Sequence, residues 1–144
     1  MRIAVQTAPF DTASELARFG GPGTGAIVTF TGLVRDDGGA MQALELEHYP
    51  GMTERAMTDI AAQAVARWAL TDVLVIHRYG RFQIGEQIMM VATAARHRQA
   101  AFEAAEYLMD YLKSRAPFWK KEIGADGERW VAARTTDEDA LKRW

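Results

Sequence analysis

HRQAAFEAAEYLMDYLKSRAPFWKKE, residues 97–122, carries a long helix, its stop signal and the start of a strand in one uninterrupted run. Residues from about 98 to 115 are mostly good helix formers, and Pro117 cannot extend the ladder of N–H donors, so the helix closes just before it. Beyond the proline, PFWKKEI (117–123) and ERWVAA (128–133) read as two strands joined by a Gly-Ala-Asp-Gly turn at 124–127. Lys113 and Lys120 flank the proline. A lysine amine in a desolvated pocket loses its proton near neutral pH and serves as base or nucleophile, or stays charged and holds an anion.

Upstream, residues 86–94 and 72–79 read as strands separated by GRFQIG. Before them, Thr53 is expected to cap a helix reaching Trp68, with Met57, Ile60, Ala61, Ala64 and Trp68 along one side. ALELEH (43–48) alternates with period two, AIVTFTG (26–32) is rich in β-branched and aromatic residues, and the two are expected to pair as a hairpin around the RDDGG loop. Residues 2–5 alternate like an edge strand. Thr12 with Glu15 resembles a capping box opening a short helix to about Phe19. The last ten residues, TTDEDALKRW, read as a short polar helix or tail. The order of elements predicts an α+β fold, with helices packed on mostly antiparallel sheet, in a single domain spanning 1–144. GGPGTG (20–25) has no strand before it and no Lys-Ser/Thr after it, so it lacks the context of a phosphate-binding loop.

The chain has 144 residues, 49% of them hydrophobic and 25% charged, which predicts a soluble globular protein with a substantial core. No apolar run approaches the roughly 18 residues of a membrane span, and the N-terminus reads as a strand instead of an export signal, so a cytoplasmic location is expected. Cysteine is absent. The chain itself therefore carries no disulfide, thiolate metal site, persulfide or thioester, and any sulfur chemistry needs an outside donor. His48, His77 and His97 are too scattered to suggest a metal site, and neither metal nor cofactor is expected. His48 and His77 read as packing residues. Net charge is −2, against a generally basic nucleic-acid-binding surface, yet residues 96–121 hold six basic and three acidic side chains. That excess suits a small anionic ligand or an acidic partner tail.

On the long helix, Arg98, Phe102, Met109 and Lys113 fall near one stripe, but Arg98 and Lys113 are separated by about 22 Å along the axis. A compact site holding both requires two copies of the helix running antiparallel across a dimer. Otherwise Phe102 and Met109 fill the core and Lys113 reaches to water. Phe118 and Trp119 are expected to anchor by burial the strand that aims Lys120, with Lys121 solvated on the opposite face. Arg35, at a strand end, either clamps a phosphate or carboxylate or is a surface arginine. Trp68, Trp119 and Trp130 read as core or interface. A non-catalytic domain that docks an acidic partner through its lysines also fits these residues, and would tolerate Lys→Arg at both positions; a third reading is an enzyme acting on another small phosphate.

VTFTGLVR, LELEHYPGM, VIHRYG, His97-Arg98 with AFEA, and MDYLKSRAPFWKKE followed by ERWV together resemble the large, catalytic subunit of molybdopterin synthase, from about residue 25 to Trp144. The resemblance implies an α/β-hammerhead-like fold. It also implies a sulfurtransferase of molybdenum cofactor biosynthesis that converts cyclic pyranopterin monophosphate to molybdopterin. The sulfur would come from the thiocarboxylated C-terminal Gly-Gly of a small ubiquitin-like subunit, in a heterotetramer built on a central homodimer. By the same resemblance Lys113 and Lys120 match the catalytic lysines, Arg35, His97 and Arg98 match substrate-binding positions, and Phe30 and Met109 line the pocket. Lys113, with a lowered pKa, is expected beside the thiocarboxylate carbon, and Lys120 is expected to assist proton transfer or hold the pterin. Leu33 stands where relatives can carry a lysine, which leaves the charge of the pocket rim open.

Overall fold

The computed structural model describes residues 1–36, 38–132 and 134–144; Asp37 of the expected RDDGG loop and Ala133 of the expected last strand lie outside them. The elements are β1 (Arg2–Gln6), α1 (Thr12–Leu16), β2 (Ala26–Leu33), β3 (Met41–His48), α2 (Met52–Trp68), β4 (Asp72–Arg78), β5 (Gly80–Gln83), β6 (Gln87–Ala95), α3 (Arg98–Arg115), β7 (Phe118–Gly124), β8 (Gly127–Val131) and α4 (Thr135–Ala140), closed by a 3-10 turn, Leu141–Arg143. The fold is α+β. One four-stranded sheet runs β1-β4-β6-β2 and a second runs β5-β3-β7-β8. Among the described residues only the β1–β4 pairing is parallel. Among the described residues no helix is long and apolar enough to cross a membrane.

Strands β4 and β6 are apolar on both faces because both faces are covered. Val73, Val75 and Val91 pack under Met57, Ile60 and Ala64 of α2 and Ala101, Ala104 and Leu108 of α3. Leu74, Ile76, Met90 and Ala92 point the other way, toward Phe10, Leu16 and Phe19. The second sheet has its own small cluster, Val34, Leu44, Leu46 and Phe82.

The expected β2–β3 hairpin does not form. β2 pairs with β6, from Ala26 opposite Ala95 to Leu33 opposite Gln87, while β3 lies between β5 and β7. The register shifts between Gly32 and Leu33. A Cβ at Gly32 would stand 2.9 Å from Met89 Cγ, so any other residue here would force the Met89 side chain to move. Two residues on, Val34 is already buried in the second sheet's cluster. The chain thus leaves one sheet for the other where a hairpin would have turned back. GRFQIG, read as a separator, contains β5.

Both expected caps shift by a residue or two. Asp11, not Thr12, caps α1 and accepts from the Ser14 N–H at 3.3 Å. Gly51 stands at the N-cap of α2, with Glu54 accepting from its N–H at 2.6 Å. Thr53 is fully buried instead: its hydroxyl donates to the Pro117 carbonyl at 2.9 Å and accepts from the Tyr49 N–H at 3.0 Å. This hydroxyl ties the start of α2 to the turn between the two lysines.

The C-terminal segment is docked and not a loose tail. Trp144 meets Trp68 and Tyr107 edge-on, each at 5.6 Å between ring centroids.

Candidate active site

α3 stops where the sequence places its stop. Ala116, preceding Pro117, is extended at φ −84°, ψ 126°, as steric conflict with the proline ring requires. The chain then enters β7, hydrogen-bonded to β3 on one side and β8 on the other. Lys113 sits on the last turn of α3, and Lys120 on β7 opposite Leu46 and Val131.

Burial lowers the pKa of Lys120, and the positive charge of Lys113 lowers it further; Arg134 acts in the same direction, and Asp137 and Glu122 oppose it. The residue as a whole keeps an exposed surface, so the burial is local crowding around the amine. The two amines therefore stand within electrostatic reach of one another.

An open groove of about 480 Å3 runs along α3 beside the edge strand β2, with Phe30, Phe102, Met109, Lys113 and Arg143 among its walls. Glu106 and Asp110 also face it. Phe102 is 60% exposed, so it is not core. The core face of α3 is Ala101, Ala104, Leu108 and Leu112, and Phe102, Glu106, Met109 and Lys113 follow the neighbouring stripe. A second hollow of about 380 Å3 lies beside Arg2, Glu15, Arg18 and Asp72, remote from the lysines. Its charges pair locally, Arg2 with Glu15 and the N-terminal amine with Asp72.

Phe30, Met109 and Lys113 are thus gathered in one groove, and Lys120 adjoins Lys113. His97 and Arg98 are not brought to them. His97 is the N-cap of α3 and Arg98 its first residue, both exposed and on the order of 22 Å from Lys113 along the axis. Arg35 follows β2 and is exposed, as is Leu33 at the end of that strand. The basic excess of residues 96–121 is accordingly split between the two ends of one helix. At the distal end, Arg115 is paired with Glu138 of α4.

The expectation that Phe118 and Trp119 both bury is half right. Phe118 stacks on His77, with ring centroids 3.7 Å apart, whereas Trp119 is 47% exposed. Strand alternation explains this, since Phe118 and Lys120 share one face of β7 and Trp119 takes the other. Lys121 is not solvated: its Nζ lies 3.4 Å from Glu128 and 4.6 Å from the Trp130 ring centroid. Trp130 is itself 54% exposed, while Trp68 packs inside.

His48 and His77 pack, as expected of them. His48 lies 4.1 Å from Tyr79 between ring centroids. His77 Nδ1 sits 2.8 Å from the Arg78 carbonyl, a contact that an N–H satisfies by donating. Burial is the main reason its pKa falls to about 4, with the charges of Lys120 and His48 adding to it. Below the ordinary value of about 6.5 the unfolded chain takes a proton that folded His77 refuses. Stability from this residue is therefore complete above that value and is lost as pH falls toward about 4, by up to about 3 kcal/mol across the window. In urea titrations at several pH values, His77→Gln is expected to flatten this acid-side loss. An unchanged slope would remove His77 as its source.

The GGPGTG loop spends its amides on the protein: the Gly20 N–H donates to Asp72 at 3.1 Å and the Gly25 N–H to the Ala95 carbonyl at 2.9 Å. Among the described residues no three His, Cys, Asp or Glu side chains are grouped to hold a metal ion.

Fold and groove define a class, an α+β enzyme that presents two neighbouring amines, one of them eased toward deprotonation, beside an open apolar channel. The family model of the MoaE protein matches residues 5–115. The molybdopterin synthase catalytic subunit of Cereibacter sphaeroides is 64% identical over 146 residues, covering 100% of both chains. Among solved structures, the molybdopterin biosynthesis MoaE protein from Burkholderia ambifaria superposes with a TM-score of 0.83 at 53% identity, covering 99% of this chain and 97% of its own. Molybdopterin synthase from Staphylococcus aureus gives a TM-score of 0.83 at 33% identity, covering 89% of this chain and 95% of its own. The chain belongs to the MoaE family and is an enzyme of molybdenum cofactor biosynthesis, of the molybdopterin synthase catalytic-subunit kind.

Proposed function

We propose that the chain transfers sulfur to cyclic pyranopterin monophosphate, forming the dithiolene of molybdopterin, and draws each sulfur from a thiocarboxylate at the C-terminal Gly-Gly of a small ubiquitin-like subunit. The observation carrying this reading is the amine pair: Lys120, eased toward its neutral form, beside Lys113 at the end of an open groove. A chain without cysteine needs such a donor. Lys113 orients the thiocarboxylate carbon, and Lys120 moves the proton as sulfur leaves its carrier and water restores the carboxylate. Phe30 and Met109 wall the groove along which the tail lies.

Arg35, His97 and Arg98 bind the phosphate and balance charge as the cyclic ester opens. Because one straight α3 holds His97 and Arg98 far from Lys113, this assignment requires a second copy whose α3 runs antiparallel to the first. The assembly is then a central homodimer with a small subunit at each end, built from a single domain and working in the cytoplasm.

Mass spectrometry of the chain with thiocarboxylated small subunit and cyclic pyranopterin monophosphate tests the reading. Two successive sulfur gains on the pterin are expected, with the carrier returned as carboxylate. A persistent thiocarboxylate and an unchanged pterin would refute it.

A further inference from the structure

Arg143, in the closing 3-10 turn, reaches back across the groove to two carboxylates on α3. Its Nη1 donates to Glu106 at 3.2 Å and its Nη2 to Asp110 at 2.7 Å. Asp110 is the more enclosed, with 15% side-chain exposure against 61% for Glu106, and it also accepts from the Trp144 indole N–H at 2.7 Å. Trp144 is in turn pinned by the Trp68 and Tyr107 rings and by Arg67, which donates to its carbonyl at 3.3 Å. The guanidinium is thereby delivered to this spot by an anchored residue next to it in the chain.

Asp110 precedes Lys113 by three residues and Glu106 precedes Asp110 by four, spacings at which helix side chains meet. An acid three residues before a lysine is an ordinary ion-pair partner. Yet among the described residues Lys113 makes no ion pair, and both acids meet Arg143 instead. Freed of Arg143, Asp110 would take the amine, hold it along the helix and favour its charged form.

We propose that Arg143 is a positioning residue for Lys113: it binds Glu106 and Asp110 together and so leaves the Lys113 amine unpaired at the groove. This deepens the reading above and rests on Lys113 acting as a free amine.

The test is acetic anhydride labelling of the full-length protein, with Lys113 acetylation followed by mass spectrometry, alongside sulfur transfer by the same preparations. Only a neutral, unpaired amine acylates. Arg143→Ala is expected to slow Lys113 labelling by roughly two- to fivefold, the range a modest ion pair commands, with Lys121 labelling as the internal control. Adding Asp110→Asn should restore it, since the amide carries no charge and its oxygen still accepts from the Trp144 indole. Sulfur transfer should fall and recover in parallel. An unchanged labelling rate in Arg143→Ala overturns the proposal. So does a slowed rate that Asp110→Asn fails to restore, which would mean that Arg143 acts through the fold. Labelling that falls and recovers while sulfur transfer stays at the wild-type rate keeps the positioning role and removes Lys113 from the reaction.

Discussion

Lys120→Ala is expected to fold and still bind the proposed small sulfur-carrier subunit, yet carry out the proposed sulfur transfer at least about 100-fold more slowly, the lower end of what a positioned acid or base contributes. Lys120→Arg should fare little better. Arginine keeps the charge but does not surrender a proton in the accessible pH range, so a role limited to holding an anion would survive the change and a proton-transfer role would not. Lys113→Ala should also abolish the proposed conversion while leaving the chain folded. It carries a second signature through its neighbour: the Lys113 charge is one cause of the lowered pKa of Lys120. Removing that charge raises the Lys120 pKa, so the basic-form limb of any residual activity should move to higher pH. The measurements are initial rates of pterin sulfuration against pH for the three variants. Full activity in Lys120→Arg would leave only an anion-holding role for that residue.

The second large effect is on stability. Leu108 is fully buried on the core face of α3, within the cluster that includes Met57 and Val91. Leu108→Ala removes its methyl groups from a packed interior and leaves a cavity, at a cost of about 2–5 kcal/mol. For a chain of this size the thermal midpoint should drop on the order of 10 °C. Phe102, six residues away on the groove stripe, is a contrast: it is mostly exposed, and Phe102→Ala should shift stability by less than about 1 kcal/mol. Calorimetry of the two variants separates the faces of the helix, and equal midpoints would contradict the packing described for α3.

The helix and strand around Pro117 were legible from the sequence because both signals are local: a run of helix formers, a proline, then alternation. Strand partners were not. Which strand β2 joins depends on residues more than fifty positions away at β6, and on a register shift at Gly32 that no periodicity announces. β5 was hidden because Gly80 and Gly85, which bracket it, read as turn punctuation. At the site, Lys113 and Lys120 stood out from their placement about the proline, and Phe30 and Met109 from resemblance. Glu106, Asp110 and Arg143 did not, because the last residues read as a polar tail and nothing local says where such a segment docks. Its terminal tryptophan was the available clue, since a large apolar side chain is seldom left in water.

β7 carries Lys120 in the second sheet, whereas Lys113 rides on a helix packed against the first. The two amines therefore belong to different layers, tied together near the site by the proline turn, the Thr53 hydroxyl that grips it and the stack of Phe118 on His77. A small slip between the layers would part the amines while each layer remained intact. Heat or mild denaturant should thus silence the enzyme before its circular dichroism changes, making catalysis the more sensitive gauge of how the halves are aligned.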